Sequence, residues 1–110
     1  METEPSAPAS GDRSCPVTYC LSVIGGRWKP VIVFCIANGV NRFGAMRRAI
    51  PGVTKQMLTK HLRELEADGM ISRTVFAEVP PRVDYALTPK GRSVLPVIER
   101  MEAWGEANMH

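Results

Sequence analysis

No apolar run in this sequence is long enough to cross a membrane. The longest, Val31 to Ala37, falls far short of the roughly 20 residues a spanning helix needs. The opening residues include Glu2 and Glu4 and lack a basic segment followed by an apolar one. The expectation is no signal peptide and a cytoplasmic location. There are only three cysteines, an odd number that argues against a disulfide framework. In a cytoplasmic chain they stay mostly reduced. There are two histidines and no second cysteine pair to join Cys15 and Cys20, so no metal site is expected. The sequence also lacks a Gly-rich phosphate loop, a nucleophile beside a base, and paired carboxylates in a pocket-like context. An enzyme is therefore not expected, nor is a cofactor.

What remains is a chain of 110 residues, 45% apolar and 23% charged. That length suits one domain with a real core and little surplus stability. The net charge is only +3, but it is unevenly spread. Residues 42–63 hold Arg42, Arg47, Arg48, Lys55, Lys60 and Arg63 and no acid. Residues 64–110 hold more acids than cations, and residues 1–41 balance. A local cationic face attracts a polyanion through Coulomb forces and counterion release. A plain solvated basic surface would show the same excess, so charge alone does not decide.

Periodicity divides the chain. Residues 1–14, rich in Pro, Ser, Ala and charge, read as a flexible tail, leaving 15–110 as the folded domain. Pro16 suits the first position of a helix, and Val17, Cys20, Leu21 and Ile24 follow at helical spacing. A second helix from about Trp28 to Asn38-Gly39 is apolar nearly all round and should be central. A third, short helix covers "RFGAMRRAI", with Phe43, Met46 and Ile50 inward. Pro51-Gly52 turns the chain, and Thr54 caps a fourth helix that Gly69 ends. The period then changes to two. Ile71, Arg73 and Val75, then Val83, Tyr85 and Leu87, predict a hairpin with Pro80-Pro81-Arg82 at its tip. Thr88-Pro89 opens a last helix, where Pro96 must kink it or shift its start. A helix-turn-helix followed by a β-hairpin is a winged helix. The fold class is mainly α with a small β-hairpin (α+β).

Three segments, "CPVTYCLSVIGGRWKPVIV", "RFGAMRRAIPGVTKQMLTKHLRELEADGMISR" and "EVPPRVDYALTPKGRSVLPVI", together give a specific pattern. The chain resembles the HxlR-type winged-helix transcriptional regulators, relatives of the MarR group. The resemblance implies a homodimeric DNA-binding repressor or activator whose first and last helices form the dimer interface. It covers nearly everything after the tail. Asp84 stands where Glu is common before the tyrosine.

The fourth helix carries cations at one end and acids at the other. Helix-dipole preference, worth about 0.3–1 kcal/mol per charge, favours the reverse. Insertion of the N-terminal half into a major groove accounts for the order, because phosphates exclude acids there. The expected DNA-binding residues are Arg47, Arg48, Thr54, Lys55, Gln56, Thr59, Lys60, Arg63 and Arg82. Gln56 suits adenine, and Lys55 or Lys60 suits guanine. Thr54 and Thr59 suit phosphate, as do Arg47 and Arg48 before the turn. Arg82 at the wing tip suits the minor groove or a phosphate.

Cys15, directly before Pro16, is the expected redox sensor, because a helix N-terminus stabilises a thiolate. Some relatives respond to electrophiles or oxidants through a cysteine so placed. Cys20 and Cys35 read as small core residues. Val17, Leu21, Ile98, Met101 and Trp104 are the expected dimer interface. Two other functions compete: a regulator holding a small molecule near Trp28 and Trp104 between the dimer helices, and a winged-helix module that binds protein.

Overall fold

The computed structural model describes residues 14–109. The expected tail lies outside them except for Ser14. Helix α1 spans Pro16–Ile24, α2 Lys29–Ala37, α3 Phe43–Ala49 and α4 Lys55–Ala67. Strands β1 (Ile71–Phe76) and β2 (Arg82–Leu87) follow, then α5 (Pro89–Ser93) and α6 (Leu95–Asn108). The strands form an antiparallel pair in register from Ile71 opposite Leu87 to Phe76 opposite Arg82. A mainly helical chain with one hairpin, the expected winged helix-turn-helix, is what forms.

The core gathers where α2, α3 and α4 meet. Ile32 and Val33 of α2, Met46 of α3, and Leu58 and Leu65 of α4 are fully buried. The spacing of Leu58, Leu62 and Leu65 puts all three on one face of α4, as a stripe of period 3.6 requires. Thr54 caps that helix, its Oγ1 accepting from the Met57 amide at 3.1 Å. Gly69 follows its end with φ +74°, a left-handed backbone that costs glycine little.

Three features differ from the sequence expectation. Helix α2 is not wrapped on every side: Val31 and Phe34 are 42% and 38% exposed, on a face beside α6 that borders a shallow apolar groove. The last helix is two helices. Thr88 caps α5 through the Gly91 amide (3.0 Å), and Pro96 lies in the first turn of α6, where its missing N–H is harmless. Ile98, expected on a seam between copies, is 6% exposed and belongs to this chain's own core. One apolar stripe on α6 serves both inside and outside, and periodicity cannot separate them.

Among the described residues no single helix is long and apolar enough to cross a membrane.

Candidate nucleic-acid interface

Helix α4 presents a polar and cationic face from Lys55 to Arg63. Lys55, Gln56 and Lys60 are exposed, Arg63 is exposed, and Thr59 is half-buried. These five residues line one shallow concavity of about 430 Å³. Its chemistry is donors and cations with no carboxylate, the composition a phosphate-flanked groove demands. Among the described residues none of Lys55, Lys60 and Arg63 forms an ion pair, so their charge is available. Thr54 stands at the cap with its oxygen occupied by the Met57 amide, which leaves its O–H to donate outward. Arg47 and Arg48 are exposed in the last turn of α3, where cations also suit the helix dipole.

The acids at the other end of α4 have partners inside the fold. Glu64 accepts an ion-paired hydrogen bond from Lys29 of α2 at 2.8 Å. That bond holds the Glu64 carboxyl below its ordinary value, against a smaller opposing effect of burial. His61 Nδ1 lies 3.6 Å from the same carboxylate, on a side chain 20% exposed. Glu66 lies 3.6 Å from Arg73 of β1, and the Asp68 carbonyl accepts from Lys90 of α5 at 2.9 Å. The charge gradient of α4 therefore has two causes: an open cationic end and an acidic end engaged with the body.

Arg82 is not at the wing tip. The tip is the stretch 77–81, and Arg82 is the first residue of β2, opposite Phe76. Its guanidinium lies over the Phe76 ring at 4.0 Å, with Nη1 3.3 Å from Glu78. Its Nε is 3.4 Å from Asp84, an ion-pair distance without hydrogen-bond alignment. It is a paired arginine rather than a projecting probe.

Lys29, Asn41, Arg42, Arg73 and Tyr85 are absent from the expected DNA-binding set, yet each makes a contact that shapes this face. Arg73 and Tyr85 join Phe43, Thr59, Arg63 and Glu66 around a cleft of about 230 Å³ between α4 and the wing. Burial pushes the Tyr85 phenol above its ordinary value, so it stays a neutral donor at physiological pH. Alternation had marked Arg73 and Tyr85 as strand residues, and nothing local marked them as neighbours of α4.

Away from this face, Cys15 is exposed at the N-cap of α1 and its carbonyl accepts from the Tyr19 amide at 2.7 Å. Cys20 and Cys35 are half-buried at the edge of the core. Burial pushes the Cys35 thiol up, which favours its unreactive form. Val17 and Leu21 of α1 and Met101 and Trp104 of α6 are exposed large apolar residues. Trp28 is buried beneath the Arg27 guanidinium, whereas Trp104 is exposed. An apolar cavity of about 140 Å³ lies elsewhere, among Tyr19, Cys20, Val23, Ile24, Met70 and Lys90.

A capped helix with an open cationic N-terminal half, set on a three-helix core and followed by a wing, defines a winged-helix DNA-binding protein. The sequence profile of the HxlR-like helix-turn-helix family matches residues 23–110, and the chain belongs to that family. It is 48% identical over 94 residues to the HTH-type transcriptional regulator YybR of Bacillus subtilis, spanning 86% of this chain and 75% of that protein. A solved structure of the redox regulator HypR in its oxidized form superposes with a TM-score of 0.83 at 47% identity, covering 87% of this chain and 99% of that one. The reduced form of the transcriptional regulator YodB from B. subtilis superposes at 0.72 and 33% identity, covering 87% of this chain and 95% of that one. This chain is a transcriptional regulator with a helix-turn-helix DNA-binding fold, and not an enzyme.

Proposed function

We propose that the protein is a cytoplasmic, homodimeric repressor that binds a pseudo-palindromic operator through α4 and is released by oxidation or electrophile attack at Cys15. The observation that carries the DNA reading is the acid-free face of Lys55, Gln56, Thr59, Lys60 and Arg63, whose cations form no ion pair among the described residues. Gln56 reads adenine, Lys55 or Lys60 reads guanine, and Thr54, Thr59, Arg47 and Arg48 hold phosphates. The exposed Val17, Leu21, Met101 and Trp104 on the first and last helices support a two-fold pairing. Such a dimer places half-sites about 34–36 Å apart. The exposed N-cap position of Cys15 and the likeness to two redox-studied regulators support the sensing role.

The alternative is release by a small apolar molecule, favoured by the cavity bordered by Tyr19, Cys20 and Lys90. One experiment separates these readings. Fluorescence anisotropy of reduced protein is measured on DNA from upstream of its own gene, before and after a thiol oxidant, beside Cys15→Ser. Tight binding lost on oxidation only in the parent supports the sensor. Binding indifferent to oxidant keeps the regulator and removes the thiol. No binding to any duplex in a random-sequence selection removes the operator reading and leaves a protein-binding winged helix.

A further inference from the structure

The wing is fastened to the loop before α3. The Tyr85 amide donates to the Asn41 carbonyl at 3.0 Å, and Asn41 Nδ2 donates back to the Tyr85 carbonyl at 3.2 Å. This reciprocal pair puts residue 41 beside β2 much as a third strand would lie. One residue further along, Arg42 Nε donates to Asp84 Oδ1 at 3.1 Å. The same carboxylate oxygen stands 3.4 Å from Arg82 Nε. Asp84 is thus the shared counter-ion of two arginines, one opening the helix-turn-helix and one in the wing. The Arg42 side chain is 55% exposed, so only the carboxylate, and not burial, occupies it.

Phosphate contacts add affinity for any sequence, whereas base contacts add it only for the right one. A cation neutralised inside the fold contributes little to the first kind. We propose that Asp84 is a specificity-determining residue: by neutralising Arg42, and Arg82 together with Glu78, it withholds cations from the phosphate backbone and leaves recognition to α4. The stitched pair of Asn41 and Tyr85 keeps the carboxylate in reach of both. The inference rests on the DNA-binding reading above, and the experiment tells the two apart.

The test is the salt dependence of binding to the selected operator and to a random-sequence duplex. Asp84→Asn keeps the size and the acceptor oxygen and removes the charge. Affinity for the random duplex is expected to rise, and the slope of log affinity against log salt to steepen by about one, since each added phosphate contact contributes about 0.9 and Arg82 keeps Glu78. Operator affinity rises less, so the ratio between the two falls. Asp84→Glu, which retains the charge, keeps the parent slope. The double variant Asp84→Asn, Arg42→Gln loses about one unit of the gained slope. An unchanged slope in Asp84→Asn overturns the proposal. Should that variant not fold, Arg42→Gln alone decides: a parent-like slope supports a neutralised arginine, and a slope flatter by about 0.9 overturns it. A parent that binds neither duplex removes the DNA reading, and this inference with it.

Discussion

The N-terminal half of α4 and the wing carry the same kinds of side chain to opposite ends. In α4, Lys55, Lys60 and Arg63 stand without an ion-pair partner among the described residues. In the wing, Arg82 is held by Glu78, Asp84 and the Phe76 ring, and Arg73 lies near Glu66. Surface ion pairs of this sort contribute little to stability, but they decide which cations are available to an outside anion. Counting basic residues locates a binding face. Counting their internal partners says how much of it binds.

The contrast is broken most thoroughly by unseating α4. Leu58 is fully buried beneath the cationic face, and Leu58→Ala is expected to lower the unfolding free energy in urea by about 2–5 kcal/mol. Gln56→Ala leaves the core alone. It is expected to reduce discrimination at one adenine of the operator by about 1–3 kcal/mol, read from binding to single-base operator variants. An unchanged preference there removes Gln56 as a base reader. The cap offers a milder perturbation: Thr54→Ala loses the bond to the Met57 amide and about 1 kcal/mol of stability. Replacing Thr54 with Asp restores the stability but weakens DNA binding by adding an acid to the acid-free end.

Lys60→Ala and Arg82→Ala test the two regions against each other directly. The first is expected to flatten the salt slope by about 0.9 and the second by much less, because Arg82 is already neutralised. Equal effects would erase the distinction between the two regions. The smallest effect concerns the acidic end of α4. The Glu64 carboxyl is held low in the folded protein by Lys29. Its contribution to stability is therefore present above the ordinary glutamate range and is lost as pH falls through the lower folded value. Urea midpoints of the parent and Glu64→Gln should converge as the pH is taken down through about 4, and a gap constant across that range would contradict the assignment.

Much of this fold was legible because its signals are local. The leucine spacing in α4, the Thr54 cap, Gly69 after the helix, and the change of period at Ile71 each act within a few residues. The cationic face was legible for the same reason, since one helix supplies most of it. Partnerships made across the fold were not. Arg42 and Asp84 are 42 positions apart, and their meeting depends on how β2 lies against the loop before α3. Lys29 is the first residue of α2, and only the packing of α2 on α4 gives it Glu64. Ile98 shared a stripe with Met101 and Trp104, and only the angle of α6 on α2 sends it inward.

Residues 88–91 occupy a junction that bears on how the molecule moves. The Thr88 hydroxyl donates to the Gly69 carbonyl at 2.5 Å, and Lys90 Nζ donates to the Tyr19 hydroxyl at 2.7 Å and to the Asp68 carbonyl. A Cβ at Gly91 would lie 2.0 Å from the Met70 carbonyl oxygen, so the backbones there are as close as they can pass. In mechanical terms this is a rivet joining three levers: α1, the far end of α4, and the arm formed by α6. Helix α5 is five residues long and has no slack to absorb a tilt of one lever against another. A rotation of α1 would therefore either exchange Lys90's bonds for water or carry its load to the C-terminal end of α4.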